Sequence, residues 1–169
     1  MTLFDSPAFE GHEGVHAVFD ARSGLKCVVA IHSTALGPAA GGCRMWDYPS
    51  AEAALTDALR LSRAMSYKNA MADIPLGGGK AVILGDSRTR KTPELFEAFG
   101  RAVEGLCGRY WAAEDVGVAP ADLAHARKES RFIAGLEGHP AASGDPSPVT
   151  AEGVFRGLEL CVRRALGRG

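Results

Sequence analysis

The amino-acid sequence predicts an α/β protein whose sheet is mostly parallel or mixed, with helices on both faces and a β-hairpin at the N-terminus. Three observations support this prediction. Segments of strand composition alternate with segments of helical period along the 169 residues, as is typical of α/β sheets. The segment Lys80–Leu84 is apolar after its lysine, as expected for a strand buried on both faces. Two apolar segments near the N-terminus flank a glycine-containing turn, which indicates a hairpin.

Turn and capping signals define the first elements. Val15–Asp20 and Leu25–Ile31 are predicted as the strands of the hairpin, and Gly24 supplies the turn between them. Ser50 is the predicted N-cap of the first helix, because its side chain is suited to accept a hydrogen bond from a free backbone N–H. The helical spacing of apolar residues carries this helix to about Met65 or a little past it.

The second half of the chain continues the alternation. Proline is favoured at the first position of a helix, so Thr92 and Pro93 predict a helix start. No strand is assigned to the glycine-rich stretch Gly37–Arg44, and Gly77–Gly79 are placed ahead of the following strand. The remaining predicted elements are a strand at Lys80–Leu84, a strand at Arg109–Ala113, a helix at Pro120–Lys128 and a helix at Thr150–Leu166 that Gly167 ends.

Composition excludes several classes of protein. Hydrophobic residues make up 46% of the chain and charged residues 23%, as in soluble globular domains. A net charge of −1 gives no general attraction to nucleic acid or to an anionic membrane. No apolar run approaches the roughly 18 residues of a membrane span, and the N-terminus lacks the pattern of a signal peptide. We therefore expect neither a nucleic-acid nor a membrane partner.

The cysteines and histidines give no sign of a metal site or a disulfide. The four cysteines lie far apart in mostly apolar stretches, with no C-x-x-C pair, so we expect reduced thiols in the core and a cytoplasmic location. The histidines show no metal-ligand spacing beyond the pair His12 and His16. The cysteines are Cys27, Cys43, Cys107 and Cys161, and the other histidines are His32, His125 and His139.

The segment IPLGGGKAVILG, from Ile74 to Gly85, combines three glycines with Lys80 but is not a nucleotide-binding loop. A Walker A loop would need a glycine at Ile74 and a hydroxyl at Ala81. The dinucleotide fingerprint would need a third glycine at Val82. Both motifs also place their glycines between a strand and a helix, whereas here they precede a strand.

Three charged residues are candidates for chemistry. Lys68 follows the first predicted helix, Lys80 opens a strand and Asp115 closes one. Two lysines that share a site disfavour each other's charged form, so one can bind a carboxylate while the other exchanges protons. With an aspartate beside them they would suit chemistry on an α-amino or α-keto acid. Taken singly, each is more often a solvated surface residue.

Five ordered segments of the chain resemble the amino acid dehydrogenases related to glutamate dehydrogenase, and specifically the branch that acts on leucine, valine and phenylalanine. The resemblance covers essentially the whole chain. The segments are Gly37–Trp46, Ala64–Ala70, Leu76–Ile83, Ala113–Gly117 and Ser143–Thr150.

The resemblance implies a role for each candidate. Lys68 would bind the substrate carboxylate, with Gly41 and Gly42 as the backbone lining of that pocket and Met65 as a wall residue. Lys80 would be the catalytic lysine that polarises the carbonyl or imine and activates water. Asp115 would exchange protons with the amino group. The glycines ahead of Lys80 would make room for the substrate.

Ala40 is the residue expected to discriminate between substrates. The glutamate enzymes carry a lysine at the matching place, which pairs with the side-chain carboxylate, and the leucine enzymes a leucine. Alanine offers no charge and little volume, so a glutamate side chain would lie there unpaired. We therefore expect an apolar amino acid, with room for one as large as phenylalanine.

Two positions depart from the pattern of the leucine enzymes. Asp145 stands where they carry an asparagine, and Glu152 where they often carry an aromatic residue. Glu152 near the start of a helix would at least suit the helix dipole.

The resemblance also implies a second domain. Family enzymes bind NAD or NADP in a Rossmann domain, whose fingerprint is absent from these 169 residues. We therefore expect residues 1–148 to be a substrate-binding and dimerisation domain, residues 149–169 to be the helix that crosses between domains, and the chain alone to be inactive. We expect a homo-oligomer that acts on an L-amino acid and its 2-oxo acid. The alternative is a naturally short, non-catalytic paralogue that binds an amino acid or mediates assembly.

Overall fold

The structure is a computed structural model in which residues 3–136 and 146–167 are described. After a short 3₁₀ turn at Leu3–Asp5 come five strands and four helices. The strands are β1 (Gly14–Asp20), β2 (Leu25–Ser33), β3 (Ala39–Trp46), β4 (Gly77–Leu84) and β5 (Tyr110–Glu114). The helices are α1 (Ala51–Met71), α2 (Pro93–Glu104), α3 (Pro120–Arg127) and α4 (Ser147–Leu166).

The five strands form one mixed sheet in the order β1-β2-β4-β3-β5. β1 pairs antiparallel with β2, and β2 pairs antiparallel with β4. β3 lies between β4 and β5 and is parallel to both. The hairpin is confirmed, with Gly24 at a φ of 74° in its turn, a region that glycine enters without steric strain.

Helices cover both faces of the sheet, as the sequence predicts. On one face Ala54, Ala58 and Leu59 of α1 pack against Ala30 and Val82. On the other face α2 and α3 cover the larger core, whose biggest buried side chains include Tyr110, Phe96 and Phe99. Because side chains alternate along a strand, Lys80, two residues before Val82, belongs to the α1 face.

Capping follows the sequence closely. The Ser50 side chain accepts a hydrogen bond from the Ala53 N–H at 3.1 Å, and Thr92 accepts one from the Leu95 N–H at 3.2 Å. Each satisfies a donor that the first helical turn leaves free. Both predicted helix starts are therefore confirmed.

Three differences from the prediction affect the placement of the candidate residues. β3 is a strand where none was assigned, because its glycines lower strand propensity. β4 begins at Gly77, so Lys80 lies inside the strand and does not open it. α1 continues to Met71, so Lys68 lies in its last turn and does not follow it.

Helix α4 has no buried side chain among its described residues. It begins at Ser147, three residues earlier than predicted, and Gly167 ends it in the left-handed conformation with a φ of 62°. Glu152 therefore lies beyond the first turn, where it pairs with Arg156 at 2.6 Å instead of meeting the helix terminus. Asp145 and His139 lie outside the described residues. The boundary at 148/149 remains a prediction.

All four cysteines are free thiols, but only two are in the core. Cys27 and Cys43 are buried, as expected, while Cys107 and Cys161 are exposed. The prediction of a core position is therefore wrong for the second pair: Cys107 lies in a turn with a φ of 53°, and Cys161 lies on helix α4, which buries none of its described side chains. Within residues 3–136 and 146–167, no helix is both long and apolar enough to cross a membrane.

Candidate active site

Lys80 and Asp115 form a close ion pair. Lys80 Nζ lies 2.9 Å from Asp115 Oδ2, and the exposed fractions of the two side chains are 6% and 23%. Lys80 comes from the middle of β4, and Asp115 directly follows β5. The intervening strand β3 has a glycine at Gly42, which pairs with Ala113 of β5. A Cβ at Gly42 would overlap the Glu114 carbonyl oxygen and come within 2.7 Å of Asp115 Cβ.

Arg44 joins this pair from β3. Its Nε donates to the same Asp115 oxygen, Oδ2, at 2.8 Å. Its Nη1 donates to Asp57 Oδ2 at 2.9 Å, and the Tyr48 hydroxyl donates to that same Asp57 oxygen at 2.5 Å. We call Arg44, Asp57 and Tyr48 the Arg44 network. Sequence reasoning missed it, although strand alternation from Gly42 to Arg44 would have placed both residues on one face had a strand been assigned there.

Burial and neighbouring charges shift the pKa values of Lys80 and Asp115. Burial lowers the pKa of Lys80, and the ion pair with Asp115 opposes this shift without cancelling it. Burial alone would raise the pKa of Asp115, but the cations of Lys80 and Arg44 outweigh it and the pKa is lowered. Asp115 is therefore ionised at neutral pH, and Lys80 releases its proton more readily than an exposed lysine does.

The residues expected to form a pocket with Lys68 lie on β3 and α1. A Cβ at Gly41 would overlap the Gly79 carbonyl oxygen and lie 3.2 Å from Met65 Cγ, so α1 closely approaches Gly41 at this point. The buried Tyr110 hydroxyl donates to the Gly41 carbonyl oxygen at 2.7 Å and fixes this backbone from the opposite face. Ala40 is half-buried and pairs with Gly78 and Trp111.

Lys68 is exposed and lies one turn beyond Met65, on the same side of α1. The next residue, Asn69, is buried, and its Nδ2 donates to the Gly77 carbonyl oxygen at 2.6 Å. This bond holds the end of α1 against the start of β4. The structure thus brings Lys80 and Asp115 into direct contact, while Lys68 makes no ion pair within the described residues.

The three glycines before Lys80 make room for protein, so the prediction that they make room for substrate is wrong. A Cβ at Gly78 would overlap Ser66 Oγ and the Ser66 backbone nitrogen of α1. A Cβ at Gly77 would overlap the Ser33 carbonyl oxygen, and one at Gly79 would lie 2.6 Å from the Tyr110 ring. Glycine is required at these three positions because α1 and the neighbouring strands pack closely on β4.

A cavity of about 780 Å³ opens beside the Arg44 network. Its lining includes Arg44, Tyr48 and Asp57 but neither Lys80 nor Asp115. The cavity therefore lies on the outer side of the network, and the ion pair lies on the inner side.

Comparison with known proteins identifies the family. Residues 13–132 match the model of the Glu/Leu/Phe/Val dehydrogenase, dimerisation domain. The chain is 53% identical to leucine dehydrogenase from Bacillus subtilis over 167 residues, which are 99% of this chain and 46% of that protein. It is 54% identical to phenylalanine dehydrogenase from Caldalkalibacillus thermarum over 147 residues, which are 87% of this chain and 40% of that protein.

Solved structures agree with this result. L-tryptophan dehydrogenase from Nostoc punctiforme aligns with a TM-score of 0.73 at 40% identity, over 94% of this chain and 44% of that one. The chain spans about half the length of the curated relatives it matches. Both the sequence match and the shared fold lead to one conclusion: the chain belongs to the Glu/Leu/Phe/Val dehydrogenase family and contains its dimerisation domain.

Proposed function

We propose that this chain is the substrate-binding and dimerisation part of an NAD(P)-dependent dehydrogenase that oxidatively deaminates an apolar L-amino acid to its 2-oxo acid. The observation that carries the proposal is the buried contact of 2.9 Å between Lys80 Nζ and Asp115 Oδ2. A lysine and an aspartate with lowered pKa values at one point of a sheet supply an acid/base pair.

The two groups divide the proton transfers between them. Lys80 uses one N–H on Asp115, which leaves two donors of Nζ to polarise a carbonyl or imine oxygen or to orient water. Asp115 is ionised and therefore able to accept a proton from the substrate ammonium. The pairing also holds each group in place before substrate binds, which lowers the entropy lost on reaching the reactive geometry.

Lys68 is the proposed partner of the substrate carboxylate. It has no competing ion pair among the described residues, and its ammonium is exposed at the end of α1. Met65 and the backbone at Gly41 and Gly42 would line the same pocket, with Ala40 as the half-buried residue that sets side-chain preference. The absence of a cation at Ala40 disfavours a glutamate side chain, because its carboxylate would lose water without gaining a partner.

The described residues do not fit a dinucleotide. The glycine-rich segment Gly77–Gly79 lies inside β4 with its Cβ positions occupied by protein, so it offers no cradle for a pyrophosphate. NAD or NADP, which accepts the hydride in this reaction, would be bound by another part of the enzyme.

Assembly is part of the same proposal. The family description of residues 13–132 as a dimerisation domain supports a homo-oligomer. No observation favours the alternative of a non-catalytic paralogue, and a buried ammonium such as that of Lys80 has no use in a module that only assembles. The proposed enzyme acts in the cytoplasm, where exposed thiols such as Cys107 and Cys161 stay reduced.

Steady-state kinetics of the enzyme that contains this chain test the proposal. We expect kcat/KM for phenylalanine, leucine or valine to exceed that for glutamate, because Ala40 provides no cation. Lys80→Ala should lower kcat far more than it changes KM, by roughly 100-fold or more, since proton transfer contributes about 10²–10⁴-fold. Lys68→Ala should mainly raise KM, because it removes a ground-state contact with the carboxylate.

The control is Arg101→Ala, which removes a surface pairing with Glu129 at 3.5 Å. Its kinetic constants should match those of the wild type. A preference for glutamate, or wild-type rates in both lysine variants, would contradict the proposal.

A further inference from the structure

The two oxygens of the Asp115 carboxylate are used differently. Oδ2 accepts from Lys80 Nζ at 2.9 Å and from Arg44 Nε at 2.8 Å. In the part of the chain that the structure describes, Oδ1 makes no hydrogen bond or ion pair. The side chain keeps 23% of its surface exposed. The carboxylate is therefore fixed through one oxygen while the other is available.

Arg44 is itself held in place. Its guanidinium bridges two carboxylates, with Nε donating to Asp115 and Nη1 donating to Asp57. Asp57 lies on α1 and is bound a second time by the Tyr48 hydroxyl. A planar guanidinium with two fixed partners has a defined plane, so the position of Asp115 Oδ2 is set from β3 and α1 together.

Lys80 alone would not fix the orientation of the Asp115 carboxylate. An ammonium is a point charge whose donors rotate freely, and it leaves the plane of a carboxylate undefined. A second donor on the same oxygen, arriving from a different strand, restricts rotation of the carboxylate about its Cβ–Cγ bond. The pair of donors thereby directs Oδ1 away from both cations.

We propose that Arg44, held by Asp57 and Tyr48, is a positioning residue that fixes Asp115 Oδ2 and so presents Oδ1 to the substrate amino group. This inference rests on the proposed function, because it assigns the proton transfer to one oxygen of Asp115. Arg44 acts through Asp115 and makes no contact with the reacting atoms.

Charged and titratable groups approach Asp115 from each neighbouring strand. Lys80 of β4 and Arg44 of β3 lower its pKa against the effect of burial. The Cys43 thiol of β3 and the Tyr110 hydroxyl of β5 also sense its charge, and both are neutral at physiological pH because burial raises their pKa values.

The first measurement uses the 169-residue chain and does not depend on activity. The Asp115 carboxyl is titrated by carbon-detected NMR in the wild type, Arg44→Gln and Arg44→Lys. Arg44→Gln should raise the pKa of Asp115, because a cation that favours the carboxylate is lost. Arg44→Lys keeps the charge and should give a smaller rise. Arg101→Gln, a surface arginine outside the network, should leave the titration unchanged.

The second measurement is the pH profile of kcat in the enzyme that contains this chain. Arg44→Gln should lower kcat by roughly 10- to 100-fold with little change in KM, as expected for a misplaced catalytic group. It should also move the acid limb of the profile to higher pH. Arg44→Lys should lower kcat while the acid limb stays close to that of the wild type, since lysine restores charge but not the two-point geometry. If Arg44→Gln fails to fold, the kcat and pH profile of Arg44→Lys test the inference.

These measurements distinguish a failure of the proposed function from a failure of the role proposed for Arg44. An inactive wild-type enzyme would overturn the proposed function and the catalytic role of Arg44 with it. An active enzyme in which both Arg44 variants keep the wild-type kcat would overturn this inference alone, whether or not the Asp115 titration moves, because the network would then be only structural.

Discussion

Lys80 places an ammonium inside an otherwise apolar strand, and its lowered pKa indicates that the protein tolerates this charge instead of gaining from it. Burial lowers its pKa even though Asp115 lies 2.9 Å away. The charged form is therefore less favourable in the folded chain than in the unfolded one. Stability is reduced here for a group whose proposed role is chemical, as is common at active sites.

Replacing the two partners of the pair should therefore have opposite effects. Lys80→Met removes the buried charge and leaves Asp115 paired with Arg44, so we expect it to be more stable than the wild type at pH 7 by up to about 2 kcal/mol. Asp115→Asn leaves the ammonium without its carboxylate and should lose roughly 1–3 kcal/mol. Urea unfolding of both variants measures the free energies.

The difference in stability between Lys80→Met and the wild type should also depend on pH. The folded pKa of Lys80 lies below the ordinary lysine value of 10.5. At pH values between these two pKa values the unfolded chain holds the extra proton, so the wild type gains stability as pH rises. The advantage of Lys80→Met should consequently shrink between pH 7 and pH 10. An advantage that grows with pH, or a variant less stable than the wild type at pH 7, would contradict this account.

At the scale of elements, helix α1 fixes the site by lying unusually close to β4. A Cβ at Gly78 would overlap Ser66 and lie 2.5 Å from the Ser62 carbonyl oxygen. These are mostly backbone atoms of a helix, which cannot move aside singly. The distance between α1 and β4 therefore depends on a residue without a side chain, and with it the relation of Met65 and Lys68 to Lys80.

Gly78→Ala should destabilise the fold by roughly 1–3 kcal/mol, the usual effect of overpacking. Gly105→Ala is the matched control, because its Cβ would lie 3.5 Å from the nearest atoms with an ordinary φ of −61°. Its stability should stay within about 0.5 kcal/mol of the wild type. Thermal unfolding compares them, and equal losses in the two variants would show that the close approach of α1 is not the cause.

Sequence reasoning succeeded where a local signal exists. Ser50 and Thr92 are capping residues that act on their own helix, and Gly24 acts on its own turn, so each was predictable from neighbours in the chain. β3 was not predicted because its glycines lower strand propensity. These glycines are required by close contacts with residues distant in sequence, such as the contact of Asp115 with Gly42. Without β3, the role of Arg44 could not be predicted either, because the face on which its side chain lies depends on the alternation along that strand.

At the scale of the whole molecule, the described residues divide into a packed α/β body and helix α4. Every large core side chain comes from residues between Leu25 and Ile133. Helix α4 buries none of its side chains, although it carries exposed apolar residues such as Phe155, Leu158 and Leu160. Isolated helices of this length are marginally stable in water, because most helical stability in proteins comes from tertiary packing.

The two parts should therefore differ in local stability within one chain. Amides of α4 should exchange with solvent deuterium orders of magnitude faster than those of β2 and β4, whose opening requires the core to unfold. Truncation before Ser147 should leave the Tm of the α/β body within a few degrees of the wild type, since helix α4 buries none of its described side chains, while the helical signal in circular dichroism falls. The matched control is Leu59→Ala, a substitution in the core of the α1 face, which should lower the Tm and speed exchange in the sheet. Slow exchange in α4 of the isolated chain, at the level of β4, would mean that its apolar face is covered by other residues or by a second copy.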